Sequence, residues 1–388
     1  MSRLISLAAA LGFIMAQATP AAPLAVHTFP AAQVYSYEMD GLRGTRSAVL
    51  QNLSVVNPAG DSATITHVSL ELVREGRVVQ QQSIDAIEIG EIAKNNASLA
   101  KSGALEMMRF QFQPQTLLGK NVTLAGSPTL AKGTALLMMQ RLFAWRGKAD
   151  TLRVTVDYSQ AGKTQHLQHE LPIVNKTAAT ALRFPLRGAW FVGAGPSLHT
   201  AHRWAVPEEF AFDIARLGAD GRTCANTCEK LSDYYAYGAD VLAAADGEVV
   251  AASGDTPEST DVLRKPKETD DGYIQRVIAH QGELLAKGGA AVIGNHVVIK
   301  HRDGEYSSYM HLKTGSVAVK VGQHVSAGQL LGKLGNSGNS TEPHLHFQLC
   351  DGADPLDCSG IPMHIANAHI LMADFPREIQ SGDVVDAQ

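Results

Sequence analysis

Glu342-Pro343-His344-Leu345-His346-Phe347-Gln348-Leu349 reads as a β-strand opened by a proline and carrying two imidazoles. Pro343 fixes the backbone where the strand starts, and polar and apolar side chains alternate from there. Residues two apart on a strand share a face. His344 and His346 therefore stand side by side, while Leu345, Phe347 and Leu349 point the other way. Two such imidazoles serve one metal ion or divide the work of ligand and base; the plainer alternative is a pair of exposed strand histidines.

Short apolar runs punctuated by glycine surround this strand: Val241 to Val250, Val297-Val298-Ile299, Val317 to Val321 and Leu330-Leu331. Their rhythm predicts a small β-sandwich or barrel. A charged insertion between Gly254 and Gly288 breaks it, with a helix predicted over Ile274 to Leu285. His311, in Tyr309-Met310-His311-Leu312, falls at the end of a predicted strand. Asp213 sits in the apolar run Phe210-Ala211-Phe212-Asp213-Ile214. A carboxylate there is costly to bury unless it is paired or bound to a cation. A salt bridge to arginine and a metal ion both satisfy it, and His202, eleven positions upstream, is a candidate co-ligand.

The N-terminal half reads differently. Thr64 to Val73, Arg109 to Gln113 and Thr151 to Tyr158 alternate with period two, and turns follow at Glu75-Gly76 and Ala161-Gly162. Half-buried strands joined by tight turns predict a sandwich of the immunoglobulin type. Ala86 to Leu105 and Ala135 to Phe143 depart from the pattern and are read as a helix or a long lid. His67, His166 and His169 are read as solvent-facing strand residues without chemistry. Pro185, Gly188, Gly193, Gly195 and Pro196 then mark the passage into the C-terminal half. The expected organisation of this all-β-dominated chain is a sandwich over 27–180 followed by a second domain over 185–370.

Composition narrows the function. The chain of 388 residues is long enough for two hydrophobic cores. Its formal charge of -5 argues against a nucleic-acid partner, which calls for a basic face. Fifteen histidines against four cysteines direct attention to imidazole chemistry. Met1-Ser2-Arg3, the apolar run Leu4 to Met15 and Ala16-Gln17-Ala18 have the layout of a secretory signal peptide over 1–18. That run is shorter than the roughly 20 residues a membrane-spanning helix needs. A periplasmic or secreted location follows, with no transmembrane segment after cleavage. In an oxidising compartment Cys224, Cys228, Cys350 and Cys358 are expected to form disulfides, paired within each close couple. The gaps suit a four-cysteine zinc site poorly.

Over roughly residues 185 to 362 the chain resembles the M23 family of zinc metallopeptidases, the lysostaphin- and LytM-like cell-wall endopeptidases. Four motifs carry the likeness, in order: Gly294-Asn295-His296 to His301; Tyr306-Ser307-Ser308-Tyr309-Met310-His311-Leu312; Val321-Gly322-Gln323-His324-Val325; and Gly335-Asn336-Ser337-Gly338 to His344-Leu345-His346-Phe347. The resemblance implies a β-sandwich peptidase domain related to the lipoyl hybrid motif. It implies Zn2+ held by a histidine, an aspartate and the second histidine of His-x-His, which here makes His346 a ligand. His344 then resembles the catalytic base and His311 the second catalytic histidine. The family's first histidine normally lies four residues before its aspartate, and this chain departs from that. His202 and Asp213 are the better match, with a loop inserted between them and His199 as the fallback ligand. Gly218 to Tyr237, with Cys224 and Cys228, becomes a second insertion rimming the cleft. The implied function is an exported zinc endopeptidase hydrolysing the peptide cross-links of peptidoglycan, whose peptide stems are its partner. The alternative is a catalytically degenerate relative that binds cell wall or regulates an amidase.

Overall fold

The computed structural model describes residues 24–40, 43–375 and 377–388. The expected signal segment, 1–18, lies outside the described residues. The described chain is mostly β, in four sheets around two large hydrophobic cores.

Two antiparallel-dominated sheets make up the N-terminal half. One is built on the long pair Thr45–Asn57 and Thr134–Arg146, which run together from Thr45↔Arg146 to Asn57↔Thr134. The other centres on Ala63–Arg74, Thr151–Gln160 and Lys163–Val174. Strict alternation along Thr151–Gln160 sends Leu152, Val154, Val156 and Tyr158 into the core between the sheets. Leu50, Leu53 and Val55 meet them from the opposite sheet.

Three readings of this half resolve or change. Ala86–Ser102 is a helix, started by the Asp85 carboxylate accepting from the Ile87 and Glu88 amides and ended at Gly103 in the left-handed region. Ala135 to Phe143 lies inside the strand Thr134–Arg146; only its apolar start, Ala135 to Met138, is buried on both faces, and so short a run fits a strand as well as a helix. The alternation at Arg109 to Gln113 is not a strand. Arg109–Phe112 is one of three short helical turns in a row, and Pro114 opens the next. Five residues are too few for period two to exclude a helical turn, and here Phe112 and Leu117 are buried against Val56 and Leu137.

The C-terminal half holds a nine-stranded antiparallel sheet. Its middle runs His296–Lys300, Tyr306–Met310, Leu345–Cys350, Phe212–Ala215 and Gly188–Ala194. Val384–Ala387 and Ala368–Ile370 extend it at one edge, the former lying beyond residue 370. The two-stranded ribbon of Asp240–Leu242 with Leu330–Lys333 supplies Val241 and Leu331 to the core under this sheet, where Val297, Ile299, Leu345 and Phe347 are fully buried. Val317 to Val321, expected as a strand, is irregular chain tied down by the Ala318 amide donating to Leu331 O at 2.8 Å. The charged insertion does contain a helix, Asp270–Lys287, capped by the Thr269 hydroxyl. Disulfides join Cys224 to Cys228 and Cys350 to Cys358, within each couple. Among the described residues no helix is long and apolar enough to cross a membrane.

Candidate metal centre

The sheet itself brings two of the candidate ligands together. Phe212–Ala215 and Leu345–Cys350 are antiparallel neighbours in which Asp213 stands directly opposite His346. Alternation buries Phe212, Ile214, Leu345 and Phe347 on the core side and leaves Asp213 and His346 on the other. On the far side of the Leu345–Cys350 strand, Met310 pairs with His346, so the next residue, His311, leaves the sheet beside the same spot. His344 precedes that strand and faces the same carboxylate. His202 arrives from outside the sheet, on the single 3-10 turn His202–Trp204.

One carboxylate and two imidazoles converge. Asp213 Oδ2 lies 3.1 Å from His202 Nε2, and Asp213 Oδ1 lies 3.0 Å from His346 Nδ1. Candidate ligand atoms of these three residues all fall within 4.8 Å of one another. The fallback, His199, is exposed and outside this group. His344 Nε2 is 3.4 Å from Asp213 Oδ1, and the His311 ring is centred 4.9 Å from that of His344.

The remaining ring nitrogens decide what the cluster can hold. His202 Nδ1 donates to Ala211 O at 3.3 Å, and His346 Nε2 donates to Gln348 Oε1 at 2.9 Å. Gln348 is oriented for that role because its own amide nitrogen donates to Pro355 O at 2.9 Å. In a neutral imidazole the nitrogen that is not donating carries a lone pair. The nitrogens aimed at Asp213 would be lone pairs in the neutral rings, so the arrangement calls for a cation between them and the carboxylate, either a proton or a metal ion. The donor set, two imidazoles and one carboxylate, fits a metal ion.

Electrostatics without the metal tell the same story. Burial of the His202 ring opposes its charge, but Asp213 outweighs this and its pKa is raised to about 9. His344 is raised for the same pair of reasons. Burial pushes Asp213 upward, yet His202 and His344 hold it well below the usual carboxylate range. His311 moves the other way, well below its ordinary value, through burial first and then the neighbouring His344 and His346. It is a neutral ring whose Nδ1 donates to Ser337 O at 2.8 Å, leaving Nε2 as its free acceptor.

The glycine- and asparagine-rich motifs hold these rings in place. His311 has φ of +61°, a left-handed backbone that an L residue adopts only when its surroundings demand it. The surroundings are Asn295, whose amide donates to Leu312 O at 3.1 Å, and Ser337, whose hydroxyl donates to the same carbonyl at 2.8 Å. Gly338 passes so close to the neighbouring chain that a Cβ there would lie 2.5 Å from Val292 O and 2.7 Å from Gly294 N. That contact sets the Ser337 carbonyl that orients His311. His301, by contrast, is a satisfied core residue, with Nδ1 donating to Asp246 O at 2.9 Å and Nε2 accepting from Ser307 Oγ at 2.8 Å.

A cleft of ≈ 610 Å³ opens over the cluster. Gln281 and Leu285 of the Asp270–Lys287 helix form part of its wall, and Met108, Phe110, Met139 and Gln140 of the N-terminal half form another. Reading the sequence missed this wall, since its residues fall in a helical turn and a strand with no histidine or carboxylate to flag them. It also missed Gln348, although a polar residue two positions after His346 shares that face by simple alternation.

A chain built on a β-sheet, with a histidine–aspartate–histidine metal-binding cluster at the floor of a cleft, is a candidate metalloprotein. Residues 232–358 match the sequence model of Peptidase family M23. The matched stretch includes His311, His344 and His346 but neither His202 nor Asp213; the fold supplies those. The chain is 40% identical over 84 residues to the peptidoglycan DD-endopeptidase ShyA of Vibrio cholerae, covering 21% of this chain and 19% of that protein. It is 48% identical over 56 residues to lysostaphin of Staphylococcus simulans, covering 14% of this chain and 11% of that protein. These matches thus span a fifth or less of the relatives' own length. Among solved structures, the catalytic domain of the prophage-encoded M23 protein EnpA from Enterococcus faecalis is 18% identical, covering 48% of this chain and 95% of that one, with a TM-score of 0.28.

Proposed function

We propose that the chain is an exported zinc endopeptidase that hydrolyses peptide cross-links of peptidoglycan. The observation that carries this reading is the convergence of His202 Nε2 and His346 Nδ1 on one carboxylate, Asp213, while the far nitrogen of each ring is held by an acceptor of its own. His202, Asp213 and His346 would hold the ion. When bound, Zn2+ would supply a Lewis acid that lowers the pKa of water to about 7 and polarises a carbonyl. His344 Nε2 is placed to accept a proton in the cleft, since its Nδ1 already donates to Glu342 O at 2.7 Å. His311 is a neutral ring whose Nε2 lone pair faces the other side of the cleft, so it would first accept a proton there and only then, as imidazolium, hand that proton to the departing amine.

Peptidoglycan as substrate is supported by the names of the relatives, a peptidoglycan DD-endopeptidase among them. The two disulfides support an oxidising, extracytoplasmic location. Residues 27–180 are read as a sandwich domain that carries no catalytic group, and 185–370 as the peptidase. The intact ligand cluster weighs against a degenerate, wall-binding or amidase-regulating relative, which would need no metal. The test is digestion of purified peptidoglycan sacculi by the full chain, with and without chelator, and mass spectrometry of the released fragments. New cross-link fragments that vanish with chelator and return with Zn2+ are expected; identical fragment profiles in all arms would remove the proposal.

A further inference from the structure

The turn that carries His202 is fastened to the N-terminal half. Arg203 is fully buried, and its guanidinium reaches two ways: Nη1 to Glu209 Oε1 at 2.5 Å, and Nη2 to Ser47 O at 3.3 Å and Ser47 Oγ at 3.2 Å. It lies 5.7 Å from the centre of the Tyr37 ring and 4.9 Å from that of Phe210. Three glutamines of the N-terminal half then seize the backbone of the same turn. Gln51 Nε2 donates to Arg203 O at 3.0 Å, while Gln111 Nε2 and Gln140 Nε2 donate to Trp204 O at 3.1 Å and 3.0 Å. Gln111 Oε1 also accepts from the Val206 amide at 3.0 Å, and Asn52 fixes Gln111 in turn by donating to its carbonyl at 2.7 Å. From the other half the turn is held by the Gly360 amide donating to Val206 O at 3.1 Å and by the His202 ring itself.

The geometry points to the N-terminal half being a positioning part of the metal centre: Arg203, Gln51, Gln111 and Gln140 set where His202 Nε2 stands relative to Asp213 and His346. This rests on the metal-binding reading above. His202 is the ligand with no strand beneath it. Asp213 and His346 are placed by sheet register, whereas His202 is separated from Asp213 by a loop whose polar anchors lie largely across the interface. Side chains that orient ligands typically govern metal affinity by about 10- to 100-fold. The chemically silent sandwich thereby acquires a role that needs no functional group of its own in the reaction.

The test uses the full chain and Zn2+ alone. Gln111→Leu and Gln140→Leu are compared with wild type by competition against a chromophoric chelator, and Co2+-loaded samples give the ligand-field spectrum. Gln160→Leu is the control: Gln160 is a buried glutamine of the same half, donating to Asp61 O at 2.9 Å, far in sequence from the turn. Gln111→Leu is expected to weaken Zn2+ binding by about 10-fold or more and to change the Co2+ bands, with Gln140→Leu doing so to a smaller degree. Gln160→Leu is expected to lower thermal stability while leaving both metal readouts as in wild type. Tight wild-type binding combined with Gln111→Leu affinity within about twofold of it and an unchanged Co2+ spectrum would overturn this inference alone; so would an equal loss in the Gln160→Leu control. A wild-type chain that binds no Zn2+ would overturn it together with the proposed function.

Discussion

Stripped of metal, the cluster must find another cation, and the proton on His202 is the one at hand. Its folded-state pKa is raised to about 9, against an ordinary histidine value of 6.5. A group whose pKa is higher folded than unfolded stabilises the fold fully below the unfolded value and loses that contribution as pH climbs through the folded one. The His202 shift corresponds to about 3 kcal/mol at 1.36 kcal/mol per unit, a ring only 7% exposed needing no large discount for solvent. Chelator-treated full-length chain, unfolded in urea at a series of pH values and followed by tryptophan fluorescence, should lose about that much stability between pH ~6.5 and ~9. Saturating Zn2+ should raise the curve and flatten it, because the ion then sits where the proton did. Asp213→Asn should flatten the metal-free curve as well, by removing the charge that holds the proton. A metal-free wild type equally stable across this range, or a slope that survives Asp213→Asn, would refute the reasoning.

Other perturbations follow from the same geometry. His346→Ala should abolish Zn2+ uptake and chelator-sensitive release of fragments from sacculi, as metal analysis and mass spectrometry would report. Gln348→Leu removes the acceptor that fixes the His346 tautomer, and a Zn2+ titration should find affinity down by about 10- to 100-fold with the circular dichroism unchanged. Arg203→Ala leaves Glu209 buried and unpaired, which should cost about 3–5 kcal/mol in urea unfolding. Gly338→Ala sets a Cβ 2.5 Å from Val292 O at a φ of +77°; a destabilisation of about 1–3 kcal/mol and a lowered kcat at normal Zn2+ content should both appear, since the displaced Ser337 carbonyl orients His311.

Much of the site was legible because its residues obey short-range rules. His344 and His346 on one face follow from alternation, Asp213 drew notice as a charge in an apolar run, and each cysteine lay close to its partner. The association of His202 with Asp213 was weaker, since a loop separates them, and only the sheet's register and the turn at His202–Trp204 bring them within reach. What stayed hidden is what depends on packing between distant segments. Arg109 to Gln113 alternates like a strand yet forms a helical turn, because Phe112 is claimed by a small core shared with Val56 and Leu137. Gln51, Gln111 and Gln140 are ordinary glutamines in sequence, and nothing local marks the turn 90 or more residues away in sequence from Gln51 and Gln111 that they grip.

The place of Leu345–Cys350 in its sheet also bears on when the centre can come into being. This strand, the last of the site strands to leave the ribosome, lies between two that precede it, Tyr306–Met310 and Phe212–Ala215. The earlier strands cannot close on one another without shutting it out, so the gap has to be kept open, or reopened, until His344 and His346 arrive. Asp213 and His202 therefore wait through more than a hundred residues of synthesis with no partner from His-x-His. A half-made chain accordingly lacks the full set of candidate ligands, which come together only when Leu345–Cys350 takes its place in the sheet.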